Sequence, residues 1–333
     1  MNRIGAALTG EAQDPPIKSL FVFCANPVTS SPNAAKTVEG LMRDDLFTVV
    51  HELFMTDTAK YADIVLPATT QLEQVDVHRP YGHRHLQYNS RAIEPRGESR
   101  SNWDVMRALA ETMGFTEAWL HAEPEDVFAE IFEASKPKNA TLAGISLEQF
   151  ERDGTVPLSF GASNDVPFAD LTFPTPSGKV EIRCEAVIAE GMDPIPDYIP
   201  PAEFERADED SLVMITGAAH HFVSSSMANI PTLMSKEGAP AIEINPVDAE
   251  RRNIATGDAV RVSNNRGWCQ LSAVVTDDVP QGVAISPKGH WAQHVPGGRN
   301  VNWTTSDAIG DLAGQSTFHS NLIWVERMPR AGM

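Results

Sequence analysis

The sequence predicts an α/β protein, with a doubly wound, mostly parallel sheet domain followed by a second domain of short strands. Two observations carry this. Early in the chain, apolar runs of strand length alternate with helical patterns. Beyond a stretch rich in proline and acid, the pattern changes to short strands set off by turn signals. Residues 1–192 then form the α/β domain, 193–210 (DPIPDYIPPAEFERADED) the linker, and 211–333 a barrel or sandwich.

The elements follow in order. Residues 19–24, SLFVFC, read as a buried parallel strand that runs into Ala25-Asn26-Pro27 and a helix over 34–42. Residues 47–50 make the next strand, and the polar pair His51-Glu52 stands where it would end. A short helical segment has Thr56 as N-cap and Asp57 near its first turn, and Ile64-Val65-Leu66 form another buried strand stopped by Pro67. Such crossovers are right-handed, and sheets of this kind bind ligands at the carboxyl ends of their strands. Residues 75–100 are polar, with Pro80, Gly82, Pro95 and Gly97, and read as a long structured loop. Ser101 caps a helix through Met113 that Gly114 ends, with Val105, Met106, Leu109, Ala110 and Met113 on one face. A second helix covers 124–135 with Val127, Ile131 and Phe132 inward, and a third covers 147–152. Residues 155–173 carry little pattern. Thr175-Pro176-Ser177-Gly178 is a turn leading into a strand over 179–183, KVEIR. Past the linker, strands are expected at 212–216, 241–244, 258–263, 267–276, 283–286 and 321–327. Asn264-Asn265-Arg266-Gly267 is a hairpin turn, and Asn245-Pro246 opens a one-turn helix over 247–252.

Composition narrows the function classes. The 333 residues carry a formal charge of −19, which argues against a nucleic-acid backbone or an anionic membrane as the main partner. No apolar run approaches the ~20 residues of a membrane span. Cys24, Cys184 and Cys269 lie far apart with no CxxC, so no iron–sulfur cluster or structural zinc is expected, and the thiols are expected to be buried. His78, His83 and His85 lack a carboxylate or thiolate at ligand spacing. Ser224-Ser225-Ser226 with a nearby histidine lacks the GxSxG elbow of a hydrolase.

Six segments, in order, carry a family resemblance: SLFVFCANP, FTVVHELFMTDTAKYADIVLPATTQLE, TPSGKVEI, LVMITGAAHHFVSSS, AIEINPVDAERRNIATGDAVRVSNNRG and NVNWTTSDAIGDLAGQSTFHSNLIWVER. Together they resemble the C-terminal half of a molybdopterin oxidoreductase of the dimethyl-sulfoxide-reductase and formate-dehydrogenase superfamily. The resemblance implies an α/β domain followed by a six-stranded double-psi β-barrel. Together these hold the guanine-dinucleotide tails of two pterins (bis-molybdopterin guanine dinucleotide) that chelate molybdenum or tungsten.

It also implies site residues. Asn26 matches an asparagine at a cofactor-facing strand end, where its amide suits a base edge or a ribose; an Asx-type turn before Pro27 is the alternative. His51 and Glu52 match a polar pair that recognises guanine or ribose, and Glu52 is the candidate for the guanine N1–H and N2–H₂. Asn102 stands where relatives often place an acid. Thr216 and Gly217 open the barrel's cofactor loop, in which Ala218 replaces an arginine and Ser224 and Ser225 lie at the far end. His220 and His221 are polar candidates or a structural pair. Asn302 matches an asparagine that touches the pterin, and His319 replaces a lysine. Arg79, Tyr81 and His83 fall near the family's substrate funnel. Iron–sulfur cysteines and the metal ligand belong to the N-terminal half of such proteins, so no catalytic or metal residue is nominated here. A missing N-terminal half or a separate subunit is the implied partner, with an exposed apolar face where it docks. A cytoplasmic location is expected, or a periplasmic one if the complete protein carries an export signal. A non-catalytic binding module or an inactive truncated product is the alternative.

Overall fold

The computed structural model describes residues 2–11, 14–79, 81–160 and 168–329. The chain forms two compact units, one of Met1–Val65 with Tyr198–Met333 and the other of Leu66–Asp197.

In the first unit, helix α1 (Ile4–Leu8) precedes strand β1 (Ser19–Phe23), the one-turn helix α2 (Pro27–Ser30), α3 (Ala34–Leu41) and β2 (Phe47–Glu52). A 3₁₀ turn over Ala59–Tyr61 leads to β3 (Ile64–Pro67). Strands β1 and β2 pair in parallel from Ser19↔Phe47 to Phe23↔His51, and the sheet order is β1-β2-β3. The N-cap of the 3₁₀ turn is Thr58 and not the expected Thr56, although the Thr56 hydroxyl accepts from the Ala59 N–H at 3.1 Å. Asp63 fixes β3 to the start of β2 through bonds with both backbone groups of Thr48. Two further expectations fail here. Strand β2 continues through His51-Glu52, and β3 is an edge strand with Ile64 44% and Val65 38% exposed.

The second unit holds β4 (Asp76–His78), β5 (His85–Asn89), α4 (Asn102–Met113), α5 (Pro124–Ser135), α6 (Leu147–Asp153) and β6 (Thr155–Pro157). Strands β4 and β5, within what the sequence presents as loop, form an antiparallel sheet with β6, which opens the weakly patterned stretch at 155–173. Leu86 and Tyr88, two apart on β5, turn inward onto a core of Phe128, Phe132, Phe150 and Val156. The Ser101 hydroxyl accepts from the Asp104 N–H, and Gly114 ends α4 at φ 76°. Of the expected apolar face of α4 only Val105 and Ala110 are buried, while Met106, Leu109 and Met113 are exposed. On α5, Phe132 is buried and Ile131 exposed, with Phe128 as the second inward residue. Residues 179–183 form no strand, and Val180 and Ile182 lie open to solvent. Part of the weak stretch at 155–173 lies outside the described residues.

The remaining strands close a six-stranded barrel: β7 (Leu212–Ile215), β8 (Ala241–Ile244), β9 (Ala259–Ser263), β10 (Trp268–Val275), β11 (Val283–Ile285) and β12 (Asn321–Arg327). Two short helices, α7 (Pro231–Glu237) and α8 (Pro246–Arg251), flank β8. The circular order is β10-β8-β11-β7-β12-β9, with β10/β8 and β11/β7 parallel and the other pairs antiparallel. Period-two alternation fills the interior: Val260 and Val262 point in and Arg261 out, and Leu212, Met214, Ile242, Ile244 and Ile323 complete the core. Cys269 is buried in this core, whereas Cys24 and Cys184 are exposed, contrary to the expectation that all three are buried.

Candidate functional site

The end of β1 is locked to the barrel segment 291–305. The Asp57 carboxylate accepts from the backbone N–H of Ala292 at 2.5 Å and of Gln293 at 3.0 Å, and from the Thr29 hydroxyl at 2.8 Å. The Thr29 carbonyl in turn accepts from Asn300 Nδ2 at 3.2 Å and Asn302 Nδ2 at 2.7 Å, and the Asn33 N–H reaches the Thr305 carbonyl at 3.1 Å. Asn26 belongs to the same network. Its Oδ1 accepts from the Thr58 hydroxyl at 2.8 Å and its Nδ2 donates to Thr29 Oγ1 at 3.0 Å. Asn26 and Asn302 thus spend their amides on the joint itself. His51 is 1% exposed, and its neighbour Val50 is also buried, so both faces of β2 are covered there. Glu52 is half-buried. Desolvation raises its carboxyl pKa, against a bond of 2.7 Å that its Oε1 accepts from the Leu53 N–H.

Three loops meet at one end of the barrel, where β7 and β11 finish and β12 begins. Thr216, fully buried, donates its hydroxyl to the Phe318 carbonyl at 2.7 Å. The Lys288 N–H donates to the Gly217 carbonyl at 2.9 Å, and the Ala219 N–H to the Lys288 carbonyl at 3.3 Å. A side chain built at Gly217 would meet nothing within 4 Å, so the loop is open at that point. The Lys288 ammonium lies 3.6 Å from the centroid of the Phe318 ring, and burial lowers its pKa. Exposed His319 is also lowered, first by burial and then by the charge of Lys288. Lys288 went unnoticed in the sequence because no local motif marks it; only the pairing with Gly217 brings it to the site.

His220 and His221 turn to Glu237. Its carboxylate accepts from the His220 N–H at 3.2 Å, the His221 N–H at 2.8 Å and His221 Nδ1 at 2.9 Å. Burial acts to raise the Glu237 pKa, but these bonds outweigh it and hold it below its ordinary value. Ser224, at φ 55°, and Ser226 are exposed at a tight turn, and the Ser225 carbonyl accepts from Trp291 Nε1 at 2.7 Å. Gly289 abuts this turn, since a Cβ there would sit 2.5 Å from the Ser224 carbonyl oxygen.

Asn102 belongs to the second unit. It lines a cleft of about 700 Å³ with Glu73, Asp76, Arg91 and Trp103. The carboxylates around this cleft are largely spent on turns and caps: Glu73 on Thr70 and Arg96, Asp104 on Ser101, Glu123 on Arg107. Tyr81 is fully exposed, and the His83 and His85 rings meet edge to face at 5.3 Å. Among the described residues no group of three or more His, Cys, Asp or Glu side chains could hold a metal ion, and no helix is long and apolar enough to cross a membrane.

The segments that build this barrel end fall within matched family regions. Residues 212–322 match the family described as "Molydopterin dinucleotide binding domain", and residues 3–112 match "Molybdopterin oxidoreductase". The chain belongs to the molybdopterin oxidoreductase family. It is 38% identical to a probable oxidoreductase, YoaE, of Bacillus subtilis over 98% of its own length and 46% of that protein's. It is 28% identical to dimethyl sulfoxide reductase DmsA of Escherichia coli, over 95% of this chain and 42% of that protein. It is also 29% identical to the F420-dependent formate dehydrogenase subunit alpha of Methanocaldococcus jannaschii, over 89% of this chain and 41% of that one. The chain therefore spans less than half the length of these curated relatives. Acetylene hydratase from Pelobacter acetylenicus shares the fold, with a TM-score of 0.74 at 24% identity over 98% of this chain and 46% of that one.

Proposed function

We propose that the chain is the cofactor-binding half of a molybdenum or tungsten oxidoreductase, holding the guanine-dinucleotide tails of a bis-molybdopterin cofactor. Metal ligation and electron transfer then lie on a further segment or subunit that carries the metal ligand and any iron–sulfur cluster. The carrying observation is the open barrel end at Gly217, where three loops converge within a matched dinucleotide-binding region. The residues fit such a group: the loops offer backbone groups, exposed hydroxyls and a cation with no carboxylate on it among the described residues. Bound there, the cofactor would supply the two-electron redox chemistry.

The chain's own residues bind and orient. Glu52, Gly217, His220, Ser224 and His319 reach solvent and are the candidates for direct contact, while Asn26, His51, Thr216 and Asn302 are buried and shape the loops that do so. His221, Ser225 and Asn102 are held as peripheral contacts. The need for a partner is supported by the length of the relatives and by exposed Phe23, Phe47, Leu53, Phe54, Met55 and Ile64 in the β1–β3 region.

Calorimetric titration with GMP and AMP tests the base assignment. The reading expects a preference for GMP that Glu52→Ala removes; equal binding of the two nucleotides refutes it. The purified 333-residue chain alone is expected to show no turnover, and one metal per chain with activity would overturn the division of labour.

A further inference from the structure

On the outer wall of the barrel, β10 opens with Trp268, and two arginines lean on its ring. The Arg261 guanidinium lies 4.6 Å from the ring centroid and that of Arg299 4.2 Å, and Arg299 also lies 4.8 Å from the centroid of Trp303. The turn at 296–298 seats against the same indole, since a Cβ built at Gly297, at φ 72°, would lie 3.6 Å from it. In a chain of net charge −19 an arginine has many acids to choose from. Others in this unit use them: Arg252 pairs with Asp248, Arg266 with Glu203 and Arg327 with Asp258. Neither Arg261 nor Arg299 pairs with a carboxylate among the described residues. Glu326 stands directly across from Arg261 in the β9/β12 register, yet Arg261 turns to Trp268 instead. Stacking on a ring holds a guanidinium in a fixed plane and leaves its in-plane N–H donors unspent. Two guanidiniums on one ring sit within about 10 Å of each other, a Debye length at 0.1 M salt, so each adds to the other's pull on an anion.

We propose that Arg261 and Arg299, stacked on Trp268 and Trp303, form a docking site for an acidic, extended segment of a partner protein that offers carboxylates at alternate positions. Each guanidinium takes one carboxylate through two N–H groups. Acids two residues apart on an extended chain point to one side and stand about 7 Å apart, a span that two cations sharing one ring can meet. The barrel is closed and offers no free strand edge here, so side chains and not added strand pairing give the affinity. Net charge selects the class of partner. A nucleic-acid backbone or an anionic membrane would also meet the acidic remainder of the surface, whereas a short segment meets only this spot. The site is independent of what the barrel end receives.

The test titrates the full 333-residue chain with four probes: acetyl-EAEA-amide, its neutral counterpart acetyl-QAQA-amide, poly-U RNA and phosphatidylglycerol vesicles. The acidic peptide is expected to bind at about millimolar concentration or tighter, the neutral one at least about tenfold more weakly, and added salt should weaken the acidic peptide. Arg299→Gln, which keeps a planar amide over the rings, should weaken the acidic peptide about tenfold. Arg299→Lys, which keeps the charge but not the fork, should fall between, and Arg251→Gln on α8 should change nothing. In parallel, ¹⁵N-indole spectra report the six tryptophans one by one. The acidic peptide should shift the Trp268 signal, assigned through Trp268→Phe, and the neutral peptide should not. Equal binding of the two peptides, or wild-type affinity in Arg299→Gln, overturns the proposal. So does a variant that lowers the melting temperature without changing peptide affinity, the result of a purely structural stack. If Arg299→Gln misfolds by circular dichroism, the wild-type Trp268 signal decides, and an unmoved signal overturns the site. Arg299-dependent binding of poly-U or of the vesicles that is tighter than that of the acidic peptide overturns the choice of partner.

Discussion

Replacing Asp57 by alanine should uncouple β1 from the barrel segment that it holds. The carboxylate satisfies the Ala292 and Gln293 N–H groups and the Thr29 hydroxyl, and Asp57 is 3% exposed. Leaving a buried donor unpaired costs about 1–3 kcal/mol. Water can reach Gln293, which is partly exposed, so two of the three donors bear the full penalty. The expected loss is about 2–6 kcal/mol, the sum of two such penalties. Asp57→Asn keeps one acceptor oxygen but turns an NH₂ toward a donor, so about 2 kcal/mol is expected. Because the two units need not unfold in one step, native-state hydrogen exchange resolved by peptide is the suitable assay. Residues 19–30 and 291–303 should lose protection together, in the order wild type, Asp57→Asn, Asp57→Ala. A loss under about 1 kcal/mol, or loosening of one segment without the other, would refute the clamp.

Other perturbations follow from the same geometry. Gly289→Ala places a Cβ 2.5 Å from the Ser224 carbonyl at φ 119°, so a thermal melt should show more than about 1 kcal/mol of destabilisation. Maleimide labelling of the native chain should modify Cys24 and Cys184 but spare Cys269, whose thiol burial pushes up to about 12; native labelling of Cys269 would contradict the closed barrel core. The folded pKa of Glu237 lies below its ordinary value of 4.5. Its contribution is therefore present above that value and lost as the pH falls through the folded pKa. Glu237→Gln should flatten the fall in stability on the acid side, seen in urea midpoints between about pH 3 and 6.

The short strands of the second domain were legible from alternation and turn signals, which left barrel and sandwich open until the family resemblance chose the barrel. In β9 the side chains of Val260 and Val262 must share one face, and in 321–327 the apolar run ends at a charged pair. The same signal, Leu86 and Tyr88 two apart, was present in β5 but hidden among polar neighbours. KVEIR shows the opposite failure. Its alternation is good, but a strand needs a hydrogen-bonding neighbour, and among the described residues it has none. The sequence marked Asn26 and His51 as cofactor-facing candidates, and the structure buries both side chains. Sequence could not tell that Asn26 bonds other side chains, because its partners Thr29 and Thr58 are recruited by folding. Asp57 and Lys288 were missed for a related reason: the groups that give each its meaning lie on distant loops.

The joint at Asp57 also has a history within each molecule. Its backbone partner Ala292 lies 235 residues further along the chain. At ~5–20 residues per second of synthesis, that interval is on the order of 10–50 s. During it the carboxylate must stay hydrated, while Val22 and Val50 can already pack on Ala59 and Ala62 nearby in the chain. Of the segments that meet at this joint, the one carrying Asp57 is therefore made well before its barrel partner, and a chaperone that shields it on the ribosome would be acting on a gap set by topology.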